Sequence, residues 1–225
     1  MKFGGVQKTS VIDFPDRIAT VLFTLHCNLR CPFCHNWRLV LGPKPPFLNE
    51  ETVFKILESR RKYVDAVVIT GGEPTVHKDL PHFIKNLKER DFSVKLDTNG
   101  FFPQVLEECL PNVDYVALDV KTSLEKYSLL GARDTADFLR TIEILKNKNI
   151  DYEFRATVVP GFVDAEDIPK IGELVKGGKR FAFQQFVPGD TLDKTFNGVK
   201  PYPQDVIARF AEFMKKYVAN VTIRV

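Results

Sequence analysis

Apolar runs and amphipathic, charge-rich segments alternate along most of the chain. Residues 18–26 read as a buried strand, apolar on both faces. A helix is predicted over 50–62, with Asn49 as its N-cap. Further strands are predicted over 64–70, 93–98, 113–120, 152–159 and 180–186, and 221–225 closes the chain. Helices over 78–90, 103–110, 135–148, 167–175 and 203–218 separate them. Within 78–90, Leu80, Phe83, Ile84 and Leu87 share one face, as the helical period requires.

Strands that are apolar on both faces, each followed by a helix, predict a parallel sheet. Six such units are fewer than the eight of a closed barrel. The expected fold is therefore α/β, a partial (β/α)6 TIM-like barrel in a single domain over 1–225, with a doubly wound open sheet as the alternative. Either architecture gathers ligands at the carboxyl ends of its strands. The unusual residues fall there: a cysteine run after the first strand, Gly71-Gly72-Glu73-Pro74 after the second, and Asp97-Thr98-Asn99-Gly100 at the third. Asp119 and Lys121 end the fourth strand, Arg155 lies in the fifth, and Gln184 and Gln185 lie in the sixth.

Composition narrows the function classes. The chain has 225 residues and a net charge of +3, too small to imply a nucleic-acid partner. The basic runs 60–62 and 176–180 read as solvated helix ends, with docking of an acidic electron carrier as the weaker alternative. The first ten residues hold no apolar run of the signal-peptide kind, and no stretch reaches the ~18 apolar residues of a membrane span. A cytoplasmic, thiol-reducing location is expected, with no membrane partner. Cys109 alone lies outside the cysteine run, on a helical stripe with Val105, Leu106 and Leu110, and reads as a small core residue.

Cys27, Cys31 and Cys34 stand in a C-x3-C-x2-C run. Three thiolates on one short loop can hold three irons of a cubane and leave the fourth open to a small molecule. Two other readings share the residues. A Cys3His zinc site would use His26 or His35 as its fourth ligand, although neighbours of a ligating cysteine rarely reach the same ion. A disulfide pair is disfavoured by the reducing location.

With these residues in view, the chain resembles the radical S-adenosylmethionine (SAM) enzymes. The likeness rests on the cysteine run, with Phe33 before its third cysteine, and on the GGEP segment at 71–74. More narrowly it resembles the activases of glycyl-radical enzymes, through residues 8–15, 34–36, 96–101, 118–121 and 155–161. Within these it is most similar to the anaerobic ribonucleoside-triphosphate reductase activating proteins, with the pyruvate formate-lyase activases as near relatives. The resemblance implies a 4Fe–4S cluster on Cys27, Cys31 and Cys34, and one-electron cleavage of SAM to methionine and a 5′-deoxyadenosyl radical. That radical takes a hydrogen atom from a glycine of a partner glycyl-radical enzyme. A flavodoxin- or ferredoxin-like reductant is implied as well.

The resemblance also assigns residues. SAM contacts are expected at Phe33, Asn36, Gly71, Gly72, Glu73, Pro74, Thr98, Asn99, Lys121 and Gln185. Asp97, Thr98, Ala117 and Asp119 match a monovalent-cation site, and Asp13 with Arg155 would stand at the mouth where the glycine loop enters. Ordinary readings accompany these: Phe33 as core, GGEP as a tight turn before a helix, Lys121 as a surface lysine, Asp13–Arg155 as a structural ion pair. The chain departs from the family at His26 and Asp16, where glycine is usual. It also has no histidine in 184–190, where the pyruvate formate-lyase activases carry one. Two further functions use the same residues: a radical SAM enzyme acting on a small molecule, such as a 7-carboxy-7-deazaguanine synthase, and a zinc-stabilised binding module.

Overall fold

The computed structural model describes residues 1–42 and 44–224, so Val225 of the expected last strand lies outside the described residues. The chain forms two compact units. The first comprises Met1–Cys27, Asn36–Thr98 and Phe102–Val116; the second comprises Asn28–His35, Asn99–Phe101 and the chain from Ala117 on.

The first unit holds strands β1 (Lys2–Ser10), β2 (Ala19–Thr24), β3 (Leu48–Asn49), β4 (Ala66–Gly71) and β5 (Ser93–Thr98), in the order β3-β1-β2-β4-β5. β2, β4 and β5 run parallel, with Ala19 opposite Ala66 and Ala66 opposite Ser93. Ala19, Leu22, Val67, Val68 and Ile69 are all fully buried, so both faces of these strands are covered. That is why they read as continuous apolar runs rather than alternating ones. Helices α1 (Trp37–Val40), α2 (Glu50–Arg60), α3 (Leu80–Lys88) and α4 (Pro103–Cys109) complete the unit. α3 buries Leu80, Phe83, Ile84 and Leu87, the face its periodicity marks. α2 starts where expected, because the Asn49 side chain accepts from the Thr52 amide at 2.9 Å. Cys109 is buried on α4, and burial pushes its thiol up to about 12, as befits a core residue.

β1 departs from the all-parallel expectation. It pairs antiparallel with β2 and with the two-residue β3. Its sequence, KFGGVQKTS, is polar and glycine-containing, and its burial is irregular. Two register shifts interrupt its ladder with β2, and backbone pairing holds it together with one buried apolar anchor, Phe3 against Phe83.

Strand β6 (Tyr115–Asp119) begins in the first unit and ends in the second. The second unit carries β7 (Asp151–Val158), β8 (Arg180–Gln185) and β9 (Asn220–Arg224), in the order β7-β8-β9 and parallel throughout. Helices α5 (Ala136–Asn147), α6 (Asp167–Val175) and α7 (Gln204–Met214) cover them with Phe138, Ile142, Ile171, Ile207 and Met214. Among the described residues no helix is long and apolar enough to cross a membrane.

The α2 cap gives a stability test. Asn49→Ala is expected to lower unfolding stability by about 1 kcal/mol, and Asn49→Gly by only a few tenths. Urea denaturation followed by circular dichroism reads both.

Candidate cluster and cofactor site

In the first unit the segment after β2 is tied by backbone bonds to the turn after β4. The Gly72 amide donates to Thr24 O at 3.0 Å, and the Glu73 amide donates to His26 O at 2.7 Å. The approach leaves no room for side chains. A Cβ on Gly72 would lie 1.8 Å from His26 O, and one on Gly71, at φ +109, would lie 2.5 Å from Thr24 N. The two glycines are thus required by contact and conformation together. Asn36 donates its side-chain amide to Gly71 O at 2.9 Å, fixing the same turn from the far end of the cysteine run.

Glu73 is buried, and its carboxylate holds the turn rather than an exposed edge. Oε1 accepts from the Thr75 amide at 3.0 Å and from Thr98 Oγ1 at 2.7 Å, and it caps the short 3-10 turn opened by Pro74. Asn36, Gly71, Gly72, Glu73, Pro74 and Thr98 therefore form one group, with Gly71 ending β4 and Thr98 ending β5. Asp97, two residues from Lys95 along β5, receives the Lys95 ammonium, and both side chains are almost fully buried. Sequence reading missed Lys95. Its signal was a lone lysine inside an apolar strand, two places before an aspartate and hence on the same face. Asp13 lies apart from this group and accepts from the Ser10 hydroxyl.

His26 and Asp16, at the positions where glycine was expected, adopt the left-handed backbone at φ 62 and φ 59. The glycine preference there is conformational, and this chain meets it with residues that bear a modest strain.

The second unit contains the rest of the cysteine run. The loop is held by the Arg30 amide on Leu130 O at 2.7 Å, the Asp193 amide on Pro32 O at 2.8 Å and the Leu192 amide on Cys34 O at 3.1 Å. Asn99 anchors it further, donating to the Asn28 side chain at 2.8 Å while accepting from the Phe101 amide at 3.2 Å. Phe33 is buried edge-on against Phe162, with ring centroids 5.0 Å apart, and also faces Phe196. Burial pushes the Cys31 thiol up to about 11; Lys121 opposes this, while Cys34 and Asp119 add to it.

Asp119, at the end of β6, is bridged by two cations: Arg155 Nε at 2.6 Å and Lys121 Nζ at 2.7 Å. Burial alone would raise its carboxyl, but Arg155 and Lys121 together hold it below the usual carboxylate range. Burial alone would likewise lower Lys121, and Asp119 with Cys31 hold it above the usual lysine range. Lys121 is thus a partly buried member of this group rather than a surface lysine. Ala117 is fully buried in β6. Gln185, at the end of β8, turns its amide nitrogen to Phe186 O at 3.3 Å and Tyr202 O at 3.2 Å.

As a donor set, three cysteines in a C-x3-C-x2-C run have the chemistry of thiolate ligands to an iron–sulfur cluster. No disulfide ties any of the four cysteines. A buried thiol such as Cys31 ionises only beside a strong positive charge, which a metal supplies. Among the described residues no three His, Cys, Asp or Glu side chains converge on one point suited to a single metal ion.

The Asp119 bridge carries a pH prediction. A depressed carboxyl contributes stability that is full above the unfolded value of about 3.9 and is lost as pH falls below it. Asp119→Asn is expected to melt lower than the parent at pH 7, and the gap should close as the pH falls towards 2. Thermal melts across that range measure it.

Residues 21–175 match the radical SAM superfamily. A protein of Methanocaldococcus jannaschii named as a glycyl-radical enzyme activating enzyme is 37% identical over 98% of this chain and 94% of its own length. The pyruvate formate-lyase-activating enzyme of Clostridium pasteurianum is 30% identical over 84% of this chain and 82% of its own. Among solved structures, Streptococcus suis SuiB superposes with a TM-score of 0.69 at 17% identity over 91% of this chain; the match spans 48% of the SuiB chain. At that identity SuiB speaks for the fold, which is the α/β fold with parallel strands expected from the sequence. By the extent of these matches, the chain belongs to the radical SAM superfamily and, within it, to the activating enzymes of glycyl-radical enzymes.

Proposed function

We propose that this activase installs a glycyl radical on an anaerobic ribonucleoside-triphosphate reductase. A 4Fe–4S cluster on Cys27, Cys31 and Cys34 would supply the electron that cleaves SAM, releasing methionine and the radical that takes hydrogen from the partner's glycine. The observation that carries the reading is the backbone bond from Glu73 to His26, the residue before Cys27. It places a side-chain-free turn against the start of the cysteine run. The absence of histidine from 184–190 favours this partner over pyruvate formate-lyase.

In this reading the chain's residues position and do not react. Gly71 and Gly72 let the turn pack directly against the segment entering the cysteine run, and so set where the methionine end of SAM would meet that turn. Glu73 and Pro74 keep that turn rigid, Asn36 clamps it and Thr98 borders it, while Asn99 steadies the cysteine loop through Asn28. Phe33 offers an apolar edge to adenine. Lys121, just past the end of β6, supplies charge to the SAM carboxylate, with Gln185 at the end of β8 as the further polar candidate. Arg155 fixes Asp119 and so fixes Lys121, and Asp13 borders the entry of the partner loop. An acidic flavodoxin- or ferredoxin-like protein supplies electrons.

Anaerobic reconstitution with iron, sulfide, SAM, dithionite and the reductase tests this. A glycyl doublet by electron paramagnetic resonance is expected on the reductase, with one 5′-deoxyadenosine per radical. If 5′-deoxyadenosine forms and the reductase gains no doublet, the partner assignment fails. Colourless protein with one zinc per chain would overturn the cluster itself. Cys34→Ala is expected to abolish both products. Gly72→Ala should weaken SAM binding by at least about tenfold, a loss of about 1.4 kcal/mol. Equilibrium dialysis measures it, with circular dichroism confirming that the variant is folded.

A further inference from the structure

The residues do not fit the monovalent cation that the resemblance places on Asp97, and the misfit is informative. The Asp97 carboxylate already receives the Lys95 ammonium, from the same face of the same strand. Side-chain exposure is 2% for Lys95 and 8% for Asp97, so water screens neither charge. The β4 side adds none: Val67, Val68 and Ile69 are fully buried, and Val68 stands opposite Lys95 in the ladder. A carboxylate bonded to a buried ammonium has lost most of its attraction for a second cation, and the ammonium itself repels one.

We propose that Lys95 is the built-in counter-ion of Asp97, doing by a covalently attached ammonium what a bound alkali cation would otherwise do. Lys95 is a positioning residue. It fixes the charge and orientation of Asp97 and, through the strand end, of Thr98, whose hydroxyl holds Glu73. The pair itself is read from geometry; only its bearing on SAM rests on the function proposed above.

The test uses the full chain with its cluster reconstituted, in potassium, sodium or tetramethylammonium chloride at equal ionic strength. Tm is read without SAM, and Kd for SAM is read beside it. The parent protein is expected to give the same Tm in all three salts and Kd values within about twofold. Lys95→Met removes the charge at similar length and exposes Asp97 to whichever cation fits. Its Tm and SAM affinity should therefore recover in potassium or sodium and stay low in bulky tetramethylammonium, with a gap of about tenfold in Kd. Lys95→Arg keeps the charge and should remain indifferent to the salt. Saturable dependence of the parent on potassium or sodium overturns the proposal, as does a Lys95→Met protein indifferent to the cation. Should Lys95→Met fail to fold, the parent and Lys95→Arg decide by the same salt comparison. If SAM binds in no salt, the functional reading fails while the melting comparison still judges the Lys95 pair.

Discussion

The backbone bond between Glu73 and His26 is the constraint on which the rest of the first unit's site depends. It requires the β4 turn to come within bonding distance of the segment leaving β2, and at that distance a methyl group on residue 72 collides with a carbonyl. Parallel pairing of β2 with β4, ending at Thr24 opposite Gly71, delivers the two segments to that point. The apolar identity of both strands is therefore part of the site's construction. It buries both faces, sets the register, and leaves the first polar groups to appear where the strands stop.

Charge follows a matching logic. The site's carboxylates are buried or partly buried, and each meets donors from the chain itself: two threonines for Glu73, Lys95 for Asp97, Arg155 with Lys121 for Asp119. A buried carboxylate without such partners protonates. Those partners lie on, or just after, the same strand as the carboxylate or its neighbour, so the strands that build the core also bring the carboxylates their partners. Within the second unit, Lys121 and Asp119 also act on Cys31 and so tie the cysteine loop to the charges at the end of β6.

Much of this was legible in the sequence, for physical reasons that differ by element. β5 and α6 appear over the residues expected, β5 because Val94 and Leu96 alternate ahead of a polar strand end, α6 because its apolar residues follow the 3.6-residue period. The α2 cap was legible because one asparagine stood where an orphan amide had to be satisfied. β1 was not, since its pairing is made by backbone groups that no side-chain pattern records. α1 and β3 were too short for any period to show. At the site, the GGEP turn and its glycines were legible from type and spacing. What each carboxylate would bond was not, because the Thr75 and Thr98 bonds to Glu73 depend on how neighbouring strand ends align. Gln185 shows the same limit: its residue type gave no sign that its amide nitrogen would bond two backbone carbonyls.

The left-handed His26 shows how such a site tolerates strain. Turning the chain at this residue aims its carbonyl at the Glu73 amide while its own amide donates to Leu39 O at 2.8 Å. Both backbone groups are thus satisfied, and the exposed imidazole avoids the crowding that a bulkier buried residue would meet. Strain of this kind costs about 1–3 kcal/mol and persists only where surrounding bonds over-determine it. Here the bonds that do so are the ones that seat the turn. The conformational requirement usually met by glycine is met instead by hydrogen bonding, and the segment entering the cysteine run is held by the same contact that closes the β4 turn.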